Sequence, residues 1–267
     1  MAEVMYDSAD PRMIAYQAPT PLTRDPAVLL SIRDEIIRRP GRLIGFSGDL
    51  TLTEATDLSG GLLPKATSED EASIQYPALK EARPALRETT LADLNQVYLA
   101  FTGQAPAVND PQFPAFILAR EVLGGHFHSR LYKALRHDEG DTYGARAEVA
   151  LATVPGMLAL TTFSRLDNAE KIEGKLRNVL NHFHENGITQ DELTNAQLNW
   201  AGSQAFKGQS PHNVLRSLMW SRAEGLDDDH DKRILAAAQA LTLDEINKVI
   251  SVHFQPDLFT MVRLVAE

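Results

Sequence analysis

The chain has 267 residues, 43% hydrophobic and 23% charged, the balance of a globular protein able to bury a core. Its 26 Lys and Arg stand against 36 Asp and Glu, a formal net charge of -10, and no Lys/Arg cluster offers a surface to nucleic acid or anionic lipid. The absence of cysteine excludes disulfides, thiolate zinc sites, iron–sulfur clusters and a Cys nucleophile together, and leaves the compartment open between cytoplasm and periplasm.

Residues 1–24 read as loop, because Asp10-Pro11, Pro19 and Pro21 forbid a long helix. The first helix has Asp25 as its cap, Pro26 in its first turn and a stripe of Val28, Leu29, Ile32, Ile36 and Ile37, and it stops at Pro40-Gly41. Arg42–Ser47 reads as a short buried strand ending in Gly48-Asp49. Thr51 with Glu54 is a capping-box pattern opening a second helix, which dies at Gly60-Gly61. From 64 to 90, Pro64, Pro77 and Pro84 and the acids Glu69, Asp70 and Glu71 mark a linker, with Ile74, Tyr76 and Leu79 able to lie along a surface.

Beyond the linker, Asn95–Phe101 alternates as a half-buried strand. Phe113–Leu123 is a helix ending at Gly124-Gly125, and another runs from Ser129 to Asp138. Thr142–Val154 and Met157–Phe163, joined at Pro155-Gly156, form a hairpin. A helix with Ala169, Ile172, Leu176, Val179, Leu180 and Phe183 on one face ends at Gly187. Thr189/Glu192 and Thr242/Glu245 are two further capping boxes, and Ser210-Pro211 opens a helix carrying Val214, Leu215 and Leu218. Pro256 stops the last helix before a strand at Leu258–Val265.

This order predicts an α+β fold, a mostly antiparallel sheet packed against helices. Helix, Pro, strand occurs at Val28–Ser47 and again at Asp244–Val265, so the front of the chain looks like the tail of a preceding domain of the same type. The expected division is 1–63 as that tail, 64–90 as linker and 91–267 as the domain proper. The uncharged stretch Val149–Ser164 falls short of the ~18 residues a membrane span needs, and Pro155-Gly156 breaks it. Met1–Asp7 has no basic or apolar region of a signal peptide, so an export signal would lie outside this chain.

Much familiar chemistry is missing. The eight histidines include no H-E-x-x-H or H-x-x-E-H, and His182 and His184 point about 200° apart on a helix, too far to share a metal. His126 and His128 read as loop histidines beside glycines, and Asp227-Asp228-Asp229 as a solvated helix start. No G-x-S-x-G, Walker loop or dinucleotide fingerprint is present.

One segment is dense with signal: Val122-Leu123-Gly124-Gly125, then Ser129-Arg130-Leu131, Leu135-Arg136, and Gly140-Asp141-Thr142-Tyr143-Gly144. It resembles the C-terminal, non-catalytic repeat of the insulinase/pitrilysin zinc metallopeptidases, which include the mitochondrial processing peptidase family. Leu43–Asp49 is similar to the strand that precedes that family's linker, Asp10-Pro11-Arg12 to the loop before it, and His253-Phe254-Gln255-Pro256-Asp257 to the helix exit before the last strand. His126-Phe127-His128 departs from the pattern, in which small residues follow the glycines.

The resemblance implies the two-layer repeat of those enzymes, closing like a clamshell over a peptide held at a zinc site on another domain or subunit. It implies Arg136 and Tyr143 as substrate-binding residues, no metal and no catalytic residue in this chain, and zinc on the partner half. Its partners would be that half and a peptide. Independently of the resemblance, the apolar stripe within residues 25–63 needs cover from the main domain or from a second copy, which would be self-association. Plain structural readings stand beside these. Arg136 closes a helix, where a cation is favoured anyway. Tyr143 shares strand parity with Ala145, Ala147, Val149 and Leu151 and would then belong to the core. Gly124 and Gly125 would merely end a helix. The alternative function is a structural or binding subunit of the same family, like the respiratory core proteins, with no proteolytic role.

Overall fold

The computed structural model describes residues 1–16, 25–64, 75–81, 83–92, 94–137 and 142–266. The fold is α+β, with a five-stranded sheet in the order β1-β5-β2-β4-β3. The strands are β1 (Leu86–Leu91), β2 (Gln96–Ala105), β3 (Thr142–Val149), β4 (Gly156–Arg165) and β5 (Thr260–Ala266). Every neighbouring pair is antiparallel except β1 with β5. Val97, Leu99 and Phe101 of β2 and Leu158 and Leu160 of β4 share one face and enter the main core. Phe101 sits opposite Leu160 on one side and Met261 on the other, so apolar side chains abut across three strands.

Helices α4 (Phe113–Arg120), α6 (Ala169–Asn186) and α10 (Leu243–His253), with Ala238 of α9 (His230–Ala240), supply the other half of that core. Ile172, Leu176, Leu180 and Phe183 form one buried stripe of α6, and Ile246, Val249 and Ile250 that of α10. Phe254, just past α10, stacks at 5.3 Å on Phe116 and meets Phe183 edge-on at 5.2 Å. Full burial of each such side chain contributes about 2 kcal/mol. This packing explains the aromatic in the helix exit. The three expected capping boxes are all formed reciprocally, on α3 (Leu52–Leu62), α7 (Gln190–Gly208) and α10. No described helix is long and apolar enough to cross a membrane.

The elements depart from expectation in three places. Residues Ala2–Met5 form one helical turn, α1, and Pro11–Ala15 a 3₁₀ turn. Pro11 occupies a first-turn position, where its missing N–H is no loss. Arg42–Ser47 is not a strand. It has no regular structure, and Gly45 lies against Leu215 and Met219 of α8 (Pro211–Ala223). Nor is the run buried: Leu43 is 46% and Ile44 39% exposed, so neither the pairing nor the burial expected of it is present. Third, Leu86–Leu91 joins the sheet as an edge strand; it is exposed at all six positions and so carries no alternation to read. Residues 65–74, with Glu69, Asp70, Glu71 and Ile74, lie outside the described residues.

Helix α2 (Pro26–Arg38) buries none of its residues, and Val28, Leu29, Ile32 and Ile36 are 42–54% exposed. A helical stripe of this kind marks a contact surface. The chain is therefore expected to self-associate through α2, and Ile32→Glu with Ile36→Glu to yield a monomer with an unchanged melting temperature. Sedimentation equilibrium decides; a parent chain that is monomeric already defeats the expectation.

Candidate functional site

The site begins where α4 stops. The helix runs into a π turn, Glu121–Gly125, in which Gly124 leaves helical geometry at φ -158° and ψ 19°. A Cβ at Gly124 would sit 2.5 Å from the Ala147 nitrogen and 2.8 Å from Leu131 Cδ1. The turn rests directly on the β3 backbone, an approach that glycine alone permits. Gly124 thus has a packing role beyond ending a helix.

His126-Phe127-His128 follows as a tight loop. His126 Nδ1 accepts the His128 backbone N–H at 3.0 Å, and the Ser129 N–H donates to the His126 carbonyl at 3.0 Å. Burial lowers the His126 pKa, favouring the neutral ring. Phe127 is 74% exposed and edge-on to Tyr132 at 5.1 Å.

Ser129 then caps α5 (Arg130–Tyr132), which continues as a second π turn, Lys133–His137. Leu131 and Leu135 are both fully buried and plug this segment into the core. Arg130 forks onto Glu192, Nε to Oε1 at 2.8 Å and Nη2 to Oε2 at 2.7 Å, and Nη2 also donates to the Gly187 carbonyl at 2.8 Å. Its guanidinium lies 5.2 Å from the Phe183 ring centroid. Ser129-Arg130-Leu131 is therefore a cap, a clamp and a core plug in succession. Sequence reasoning assigns Arg130 no role, yet a cation in a helix's first turn opposes the helix dipole and signals an acidic partner elsewhere.

Arg136 is half-buried, and its Nη1 donates to the Thr142 carbonyl at 3.1 Å. At Thr142, β3 begins with a bulge: Thr142 stands opposite Ser164 but Ala145 opposite Thr162, three steps against two. Buried hydroxyls hold it. Thr142 Oγ1 donates to the Phe163 carbonyl, Thr162 Oγ1 donates to the Gly144 carbonyl at 2.9 Å, and the Gly144 N–H donates to Thr142 Oγ1 at 3.3 Å. The bulge lies between Thr142 and Ala145 and breaks the alternation of β3 there. The Tyr143 side chain, Gly140 and Asp141 lie outside the described residues. The structure thus joins Arg136 to the backbone of the residue preceding Tyr143.

Residues 32–199 match the family described as the peptidase M16 inactive domain. A Helicobacter pylori protein, "Non-peptidase homolog YmxG", is 27% identical over 132 residues, 49% of this chain and 31% of that protein. A Bacillus subtilis protein, "Uncharacterized zinc protease YmxG", is 22% identical over 174 residues, 63% of this chain and 41% of that one. The matches thus span well under half the length of these relatives. The crystal structure of a peptidase M16 inactive domain from Pseudomonas fluorescens superposes with a TM-score of 0.71 at 23% identity, covering 82% of this chain and 52% of that one. The zinc of such peptidases does not fit the donors here: among the described residues no three His, Asp or Glu are grouped to hold a metal.

Two outcomes are expected. Glu192 is held below the usual carboxylate range: burial works against ionisation, but the bonds from Arg130 and Thr189 outweigh it. A depressed carboxylate stabilises the fold above its unfolded pKa of about 4.3 and loses that contribution as pH falls through the folded value. Arg130→Met should cost about 2 kcal/mol at pH 7 by urea denaturation, and the gap should close in acid. An equal gap at both pH values would assign Arg130 to packing on Phe183. Separately, the dialysed chain should carry no stoichiometric zinc by elemental analysis; one-to-one zinc lost on His126→Ala with His128→Ala would reverse the reading of that loop.

Proposed function

Because the chain belongs to the peptidase M16 inactive-domain family, we propose that it is the non-catalytic, substrate-binding half of a zinc metalloendopeptidase, closing over a peptide held on another domain or subunit. The supporting observation is the concentration of irregular backbone around Arg136. A π turn lies before it, a second contains it, and a bulge follows it. Departures of this kind sacrifice stability and gather at working sites, whereas α6, α7 and α10 of the same chain are regular and, for the last two, fully boxed.

In this reading Arg136 supplies charge-assisted hydrogen bonds to the peptide, and Tyr143 an O–H aimed at the carbonyl oxygen on which charge develops. Closure of one half on the other assembles the site, so neither residue has to sit beside the metal. The zinc belongs to the partner half, within a longer chain or on a separate subunit. Residues 1–63 would be the tail of a preceding unit, 64–90 the linker and 91–267 the rear domain, with β1 already part of the rear sheet. The lack of buried residues in α2 and α3 supports that division.

A second reading is a structural or binding subunit without proteolytic role. The Helicobacter pylori relative, a non-peptidase homolog by name, favours it, as does the Arg136 bond to the bulge, which stabilises the chain by itself. The presence of both Arg136 and Tyr143 favours the first.

The two separate on one experiment, activity of the chain reconstituted with its zinc-bearing half. Tyr143→Phe removes a hydroxyl and little volume, and is expected to lower the rate by about 10²–10³ with an unchanged melting temperature. Arg136→Ala should also weaken peptide binding. Full activity in Tyr143→Phe, together with collapse of the fold when a smaller residue is placed there, would make Tyr143 a core residue and end the site assignment.

A further inference from the structure

A second, smaller core lies away from the helices. Met157 alternates along β4 with the core-facing Leu158 and Leu160, so it belongs to the opposite face of the sheet. Ala2, Met5, Tyr6 and Met13 gather around it, with Leu79 alongside. Arg12 joins this cluster to the rest of the chain. Its Nε and Nη2 fork onto the Asp10 carboxylate at 2.9 and 2.6 Å. Nη1 donates to the Pro155 carbonyl at 2.7 Å, and Nη2 also to the Pro77 carbonyl at 2.6 Å. The guanidinium carbon lies 4.7 Å from the Tyr6 ring centroid and 5.6 Å from that of Tyr76. The Asp10 side chain is completely buried. Lys80 adds a seam, its backbone N–H on the Met5 carbonyl and its ammonium on the Tyr6 and Glu3 carbonyls.

We propose that Arg12 is the latch of a clasp: residues 2–16 close as a strap, together with 75–81, over the turn of the β3–β4 hairpin, and release as a unit that leaves the main core folded. Three observations carry this. Among the described residues the strap's cluster has five buried apolar side chains against thirty in the main core, which puts it at the low-stability end of local opening. Only Met157 of those five comes from the sheet. The polar node then decides docking, because removing the guanidinium strands a buried carboxylate and leaves two carbonyls without their donor. The fork is also specific to arginine: one planar group reaches Asp10, Pro77 and Pro155 together, which a lysine ammonium on its flexible stem does not reproduce. Residues 2–16 precede α2, so on the two-unit reading above the clasp ties the tail of the preceding unit to the rear sheet, and its release would loosen closure. That last step rests on the two-unit reading; the clasp itself does not.

Hydrogen exchange of the 267-residue chain tests it, since exchange is read without any peptidase activity. In Arg12→Met, peptides covering 2–16, 75–81 and 150–157 should exchange about tenfold faster or more, while those of β2, α6 and α10 and the main melting transition stay unchanged. Arg12→Lys, which keeps the charge without the fork, should open the strap likewise, and serves if Arg12→Met does not fold. Unchanged protection of the strap in both variants overturns the latch, as does full protection in Arg12→Lys. A loss of protection spread evenly over strap and sheet also overturns it, because the strap would then be part of one cooperative core.

Discussion

The site depends on one close approach, the backbone of Gly124 against that of Ala147. Helix α4 reaches the sheet with seven of its eight residues buried, so it cannot shift to relieve a clash at its end. The turn that follows is held against β3, and α5 must begin at a set distance from the strand. A three-residue helix has no stability of its own. Its position comes from Leu131 and Leu135 in the core and from the Arg130 fork, which reaches the end of α6 at Gly187 and the start of α7 at Glu192. Glu192 serves twice, since the oxygen that meets Arg130 also accepts the Thr189 N–H in the capping box. One carboxylate therefore couples the start of α7 to the segment carrying Arg136.

What was legible in the sequence is what is encoded locally. Capping boxes, buried stripes and the alternation of β2 and β4 depend on residues within a turn or two of one another, and they stand where those residues put them. The candidate site was legible as a pattern and as residue types, but its geometry was not. The partner of Arg130 lies 62 residues away. The bulge at Thr142 is held by hydroxyls of both β3 and β4 and by carbonyls across the strands, and no run of residues in β3 announces it. Edge strand β1 escaped notice because its pairing to β5 is a relation between distant segments, with no burial to imprint a period on Leu86–Leu91. Arg42–Ser47 failed in the opposite sense: a strand-like run whose neighbour is a helix.

The irregular backbone also bears on the choice between a substrate role and a structural one. Leu131 and Leu135 are four residues apart, a spacing that an ordinary α turn serves equally well. Burial of these two leucines therefore does not call for the π turn at Lys133–His137. What the π turn alters is the placement of Arg136, whose guanidinium meets the Thr142 carbonyl. On the other side of the same contact, the bulge between Thr142 and Ala145 interrupts the plain alternation that runs back from Val149 through Ala147 and Ala145. Two independent departures, one in a helix and one in a strand, meet at the contact of Arg136 with Thr142. A subunit needing only a stable fold gains the Arg136 bond to Thr142, but a regular turn and an unbroken strand would pack the same leucines and alanines. A subunit needing donors set beside a bound peptide has a use for both, and that asymmetry supports the substrate role proposed above.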